Sequence, residues 1–207
     1  MNSMAKLFDR VLCDRLSHWF RPLREQTGAQ RGRDCLEQIV TLRLLIDTDK
    51  RTKQKLFIMF IDFSKAYDLI PRNKLFTVLK RLGCGRVMLG ALTAMYRVTQ
   101  SVVGTALFTT TLGVRQGSPT SCLLFIIYIN ELVKMIRERC MPEIFLDWLH
   151  VLVLMDDTVL LLTSRANLLR NVEVLDQFCR DYGMTVNNDK TKFFVINGEV
   201  ETRTLFM

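Results

Sequence analysis

Apolar residues recur at helical spacing through residues 4–23, where Leu7, Phe8, Val11, Leu12, Leu16, Trp19, Phe20 and Leu23 mark one face. The polar, basic stretch "QTGAQRGR" at 26–33 interrupts that period and predicts a loop. A second helix is expected from about Asp34 to Ile46, with Asp34 as its N-cap. After "DTDKRTKQK", the run "LFIMFID" is apolar at successive positions, the pattern of a central strand covered on both sides. Helices follow near 72–82 and 85–97, separated by "GCG". Residues 101–112, rich in Thr and Val with a glycine, suit a strand pair with a turn or bulge. "GVRQGSP" reads as a loop. A strongly apolar helix then runs from about Pro119 to Arg139, with Ser118 placed to cap it and Pro119 at its first position. The remaining pattern predicts strands at 144–154 and 158–163, a helix near 165–181 and a short strand at 192–197. This order implies an α+β fold, an antiparallel-rich sheet with helices packed on one face. The first two helices would form a separate basic appendage.

Composition narrows the class. At 207 residues, 49% hydrophobic and 24% charged, the chain is globular and long enough for a sizeable core. It fits one domain, or one domain with an incomplete second lobe. The six cysteines are far apart, with no C-x-x-C pair and no nearby His, so neither a zinc site nor a disulfide framework is suggested. Buried thiols in a reducing compartment fit better. The N-terminus lacks the apolar core of a signal peptide, and no apolar run reaches the roughly 18 residues of a membrane span. The expectation is a soluble, intracellular protein without a membrane partner. A net charge of +8 favours a polyanionic partner, nucleic acid before membrane surface. Between residues 69 and 130 there is no Asp or Glu, yet Arg72, Lys74, Lys80, Arg81, Arg86, Arg97 and Arg115 are present. They form either a solvated helical face or a surface facing phosphates.

Two acidic motifs carry candidate chemistry. In "FIDFSKAYD" at 60–68, Asp62 emerges at the C-terminal edge of an apolar strand; taken alone, an Asx turn explains it. In "LMDDTV", Asp156 and Asp157 fit the tip of a hairpin joining 151–155 to 158–162. If the two strands are neighbours in one sheet, three carboxylates converge and need cations. Two divalent ions about 4 Å apart would neutralise them and clamp an in-line phosphoryl displacement. Mg²⁺ suits such oxygen ligands, with Mn²⁺ as a substitute. No Lys or Arg lies within five residues on either side of the Asp156–Asp157 pair.

"FIDFSKAYDLIPRNKL", "GVRQGSPTSCLLFIIYINEL", "LMDDTVLLL" and "CRDYGMTVNNDKTKFFVIN" occur in this order. Together they resemble the palm of a reverse transcriptase, most nearly the non-LTR (LINE-like) retrotransposon enzymes. "AKLFDRVLCDRL" and "EQTGAQRGRDCLEQI" resemble the segment that precedes that palm, so the resemblance covers nearly the whole chain. It implies a partial fingers segment at 1–55 and a palm at 56–207, with thumb and endonuclease absent, as in a truncated copy. The implied activity is RNA-directed DNA polymerisation on an RNA template with a DNA primer, consuming deoxynucleoside triphosphates, in the nucleus or cytoplasm. A second reading is a catalytically incompetent remnant that at most binds nucleic acid.

Residue by residue, Asp62 and Asp156 match the metal-binding aspartates, Asp157 the third acidic residue, and the backbone carbonyl of Phe63 a further ligand. Tyr67 matches an aromatic steric gate under the incoming sugar, or else is ordinary packing. Arg115, Gln116 and Gly117 match a loop contacting nucleotide and template, with the positive end of the following helix nearby. Lys190 matches a lysine that assists pyrophosphate departure, or else is a surface lysine. Arg33 matches a fingers arginine that contacts template or substrate phosphate, although Ala29 and Gln30 depart from the usual aromatic and basic pair. Leu154 and Met155 stand where the family usually has an aromatic residue and alanine.

Overall fold

The structure is a computed structural model that describes residues 3–30, 32–97, 100–103, 105–140 and 149–198. Strand β1 (Leu56–Ile61) lies at the centre of a four-stranded sheet. It pairs antiparallel with β5 (Asp157–Leu162) on one side and β6 (Lys192–Ile196) on the other. Strand β4 (Val151–Leu154) pairs with β5, giving the order β4-β5-β1-β6. Two short strands, β2 (Gln100–Val103) and β3 (Ala106–Thr109), form a separate ribbon where the Thr/Val-rich run predicts one.

The unbroken apolar run of β1 is explained by cover on both faces. Phe57, Met59 and Ile61 point into the main core with Val151, Val153, Leu160 and Leu162. That core is roofed by α6 (Pro119–Arg139) and α7 (Arg165–Tyr182), joined by α4 (Arg72–Arg81) and α5 (Arg86–Arg97). Leu56 and Ile58 face the other way, with Leu149, Leu152 and Leu161, against Leu42, Leu45 and Ile46. Those last three belong to α2 (Cys35–Thr52). Each such side chain taken fully out of water contributes about 1.5–3 kcal/mol, so neither face of β1 tolerates exposure. Helix α6 is long and apolar enough by composition to cross a membrane, but 72% of its apolar window is buried inside the protein. Residues 124–129 are fully enclosed, as in a core helix.

The first two helices are therefore not an appendage. Helix α1 (Ser3–Trp19) sends Leu12 and Leu16 into the main core, and α2 covers the second face of the sheet. Each helix packs only part of its apolar side chains there: Leu12 and Leu16 of α1 and Leu42, Leu45 and Ile46 of α2 meet the cores, whereas Leu7, Phe8, Val11, Leu36, Ile39 and Leu44 stay exposed. Asp34 caps α2 as expected, accepting from the Glu37 N–H at 3.2 Å. The helix runs on to Thr52, beyond the expected Ile46, and ends on Lys53 in the left-handed conformation. A single turn, α3 (Ala66–Leu69), was not expected. Residues 144–148 of the expected strand lie outside the described residues; residues 149–150 form a turn and pairing begins at Val151. Ser118 stands at the N-cap of α6, yet its hydroxyl does not cap: it donates to Asp9. Thr120 Oγ1 donates to the same carboxylate at 2.7 Å, which ties α1 to the start of α6.

Candidate active site

The antiparallel register brings the acidic motifs to one end of the sheet. Leu154 pairs with Asp157, leaving Met155 and Asp156 as a two-residue hairpin turn. Such turns need positive φ, and Met155 supplies it at +60° without being glycine. On the neighbouring strand Ile61 pairs with Thr158, so Asp62 follows β1 at the end where β5 begins. The three carboxylates share one field: partial burial, then Asp156, then Asp62, pushes the Asp157 carboxyl above its ordinary range. No group of three Asp, Glu, His or Cys side chains among the described residues is gathered tightly enough to cage an ion.

The turn is held from outside the sheet by the segment expected to be a basic loop. Residues 25–27 run alongside β4: Val153 N–H donates to the Glu25 carbonyl at 2.8 Å, and Thr27 N–H to the Val153 carbonyl at 2.9 Å. Buried Gln26 reaches the turn itself. Its Oε1 accepts from Met155 N–H at 3.1 Å and from Gly28 N–H at 2.8 Å, while its Nε2 donates to the Met155 carbonyl at 3.4 Å. Gln38 of α2 adds a 2.7 Å bond to the Val153 carbonyl. Glu25 is fully buried and bound by both arms of the Arg137 guanidinium, at 2.5 and 2.7 Å. Gln26 and Glu25 drew no attention in the sequence as site residues. Their partners lie more than 100 residues away, beyond any local spacing rule.

Asp62 is stitched to the segment that carries Lys190. Its carbonyl accepts from Asn187 N–H at 2.8 Å, and its N–H donates to Thr191 Oγ1 at 3.3 Å. Lys190 Nζ then stands 3.9 Å from Asp62 Oδ2, so a cation does come from the chain, though from a distant segment. Phe63 is buried and forms a bridge with Val186. Tyr67, on α3, stacks on Phe125 with centroids 4.6 Å apart and planes 12° from parallel. Burial first, then the Cys122 thiol and the Asp156 charge, pushes its phenol well above the ordinary range. Tyr67 is thus half-buried against the core and also within the field of the acidic cluster.

The "RQG" residues divide. Gln116 is exposed, and its Nε2 donates to Asp68 Oδ1 at 2.9 Å. Gly117 is exposed at φ +74°, with open space where a Cβ would stand. Arg115 turns inward: its guanidinium donates to the Met95 carbonyl and lies 5.5 Å from the Tyr96 ring centre. The positive end of α6 is already faced by Asp9 through Ser118 and Thr120, rather than open to an outside anion. Arg33 forms a bidentate pair with Glu37 at 2.6 and 2.9 Å and donates to the Arg24 carbonyl at 3.0 Å.

Several cations of the acid-free stretch serve the fold in the same way. Arg72 donates to the carbonyls of Gly113 at 2.8 Å and Thr110 at 2.6 Å. Arg81 pairs with buried Glu131, and Lys74 donates to the Asp181 carbonyl. Lys80, Arg86 and Arg97 are exposed. The stretch is neither a plain solvated face nor a continuous phosphate-facing surface.

The Transposon TX1 uncharacterized 149 kDa protein of Xenopus laevis is 28% identical over 120 residues, covering 56% of this chain and 9% of that protein. Telomerase from Candida albicans, solved with a TWJ fragment of telomeric RNA, superposes over 90% of this chain and 33% of its own, with a TM-score of 0.61 and 16% identity. Telomerase from Candida tropicalis, solved with the same kind of fragment, gives 0.62 over 96% of this chain and 34% of its own, at 15% identity. The chain thus spans about a third of these structures and a small part of the transposon protein, and the likeness to telomerase is one of fold. The family described as reverse transcriptase (RNA-dependent DNA polymerase) matches residues 1–205. With that match running almost end to end over the sheet, the acidic turn and the strand that leads into Asp62, the chain belongs to the reverse transcriptase family.

Proposed function

We propose that this chain is the fingers-side and palm part of a non-LTR retrotransposon reverse transcriptase, extending a DNA primer on an RNA template. The observation that carries the reading is the meeting of Asp62 with Asp156 and Asp157 at one end of the sheet. The likeness to a transposon protein supports the element class. We assign residues 1–55 to the fingers and 56–207 to the palm.

The donor set suits hard divalent cations. Asp62, Asp156 and Asp157 offer only oxygen, with no thiolate or imidazole among them, and their mutual repulsion is relieved by positive charge. These three, with the Phe63 carbonyl, would hold two Mg²⁺ or Mn²⁺ ions; bound there, such ions stabilise the attacking and leaving oxygens of phosphoryl transfer. The chain's own residues do the rest. Tyr67, backed by Phe125, stands as a rigid wall against the sugar and disfavours a 2′-hydroxyl. Gln116 and Gly117 present an exposed amide and an open backbone to nucleotide and template. Lys190, exposed and beside Asp62, delivers a proton to the departing pyrophosphate. Arg33 and Arg115, engaged within the protein, act on phosphate only after leaving their present partners.

A second reading, a remnant that binds nucleic acid without synthesis, draws support from that internal engagement of cations. Primer extension on poly(rA)–oligo(dT) with Mg²⁺ separates the two. Extension by the wild type that Asp156→Asn abolishes supports the enzyme. Salt-sensitive duplex binding without extension supports the remnant.

A further inference from the structure

We propose that Gln26 is a positioning residue of the acidic hairpin: its side-chain amide sets the Met155 peptide and thereby the placement of Asp156. This rests on the polymerase reading above. The turn needs such a support. A two-residue loop with a non-glycine residue at φ +60° is held by its surroundings rather than by its own preference. Met155 is also the only residue between the last β4 residue and Asp156. Rotation of the Met155 peptide would therefore carry the Asp156 carboxylate with it.

Gln26 is shaped for that task. It is fully buried, and it meets both polar groups of the Met155 backbone, accepting at 3.1 Å and donating at 3.4 Å, much as a paired strand residue would. Its oxygen is oriented by Gly28 N–H at 2.8 Å. Its backbone is registered on β4 through the two bonds that flank it to Val153. Gly28 is required by closeness rather than by its φ: a Cβ there would lie 2.5 Å from Met155 N, a separation real side chains do not adopt. Neither residue touches the carboxylates, so both act through the turn.

The test compares Gln26→Met, Gln26→Asn and Gly28→Ala in the full chain. Leu12→Ala serves as a control that loosens the core away from the turn. Gln26→Asn keeps a polar amide but is too short to span the peptide, which guards against a variant that fails only because a buried apolar swap unfolds it. Mn²⁺ binding is read by electron paramagnetic resonance, thermal unfolding gives Tm, and primer extension gives kcat and the deoxynucleotide KM. The turn variants are expected to weaken Mn²⁺ binding about 10–100-fold, as loss of a ligand-orienting contact does. They should lower kcat while leaving KM nearly unchanged, and Leu12→Ala should lower Tm with Mn²⁺ binding intact. Turn variants that bind Mn²⁺ like the wild type, or lose binding only as Leu12→Ala does, overturn the positioning role and leave the polymerase reading standing. A wild type that neither binds Mn²⁺ nor extends a primer overturns both.

Discussion

Lys190 Nζ lies 3.9 Å from the Asp62 carboxylate, although 70% of the lysine side chain is open to solvent. An ion pair so exposed holds little of the fold together. Lys190→Ala is therefore expected to leave Tm unchanged. If the lysine donates a proton to the leaving group, the same variant lowers kcat about 10²–10⁴-fold, and Lys190→Arg restores little of it. Rapid-quench primer extension by the wild type and the two variants, alongside thermal unfolding, checks this.

Asp157 should trade stability against function. Its carboxyl binds protons more readily folded than unfolded, because partial burial, Asp156 and Asp62 all disfavour its charge. The ionised form thus weakens the fold above the folded pKa. The loss is relieved as pH falls from that raised value toward the ordinary 3.8. Asp157→Asn is expected to raise Tm at pH 7 without metal and to reduce extension. Saturating Mg²⁺ at about 100 times its dissociation constant should stabilise the wild type by about 2.7 kcal/mol and the variant by less. Differential scanning calorimetry with and without the ion decides it.

The Glu25–Arg137 pair predicts a large asymmetric effect. Arg137→Ala leaves a carboxylate with no exposed side-chain surface and no countercharge, a change that typically costs about 3–5 kcal/mol. Glu25→Gln added to that variant should recover part of the loss, because the stranded charge is gone. Urea unfolding of the two single variants and the double variant measures it.

Two glycines should respond in opposite directions. Gly113 sits at φ +77°, and a Cβ there would stand 2.8 Å from the Asp68 carbonyl oxygen. Gly113→Ala is expected to cost about 1–3 kcal/mol, or about 2–4 °C of Tm per kcal/mol, and to disturb the loop bearing Arg115. Gly90, inside α5 with nothing near its missing Cβ, should stabilise by about 0.5–1 kcal/mol when changed to Ala. Thermal unfolding of both variants checks the pair.

Legibility in the sequence followed the range of the interaction. Asp34 as a cap, the apolar α6 and the two-sided β1 are set by neighbours within a few residues or by an unbroken pattern, and each was readable. The extension of α2 past Ile46 was hidden because "DTDKRT" looks like a linker; the helix continues because Ile46 and its turn are already docked on the sheet. The cations between residues 69 and 130 suggested phosphate. Arg72, Arg81 and Arg115 instead satisfy internal carbonyls and a buried carboxylate that only the tertiary fold brings to them. The aspartates could be assigned to one end of a sheet from two short motifs. Gln26 could not be assigned to their turn, since glutamine in a polar loop carries no periodicity and its partner is 129 residues away.

The pairing of residues 25–27 with β4 also bears on association between chains. Strand β4 is the outer strand of the sheet, and its neighbours are among the most apolar segments of the molecule. The amide and carbonyl of Val153 would face outward as a template for another strand, but Glu25 and Thr27 occupy them. A cut before Gly28 would thus do more than free a loop. It would bare a hydrogen-bonding rim beside an oily sheet, and the chain's solubility would then be set by how quickly two such rims meet.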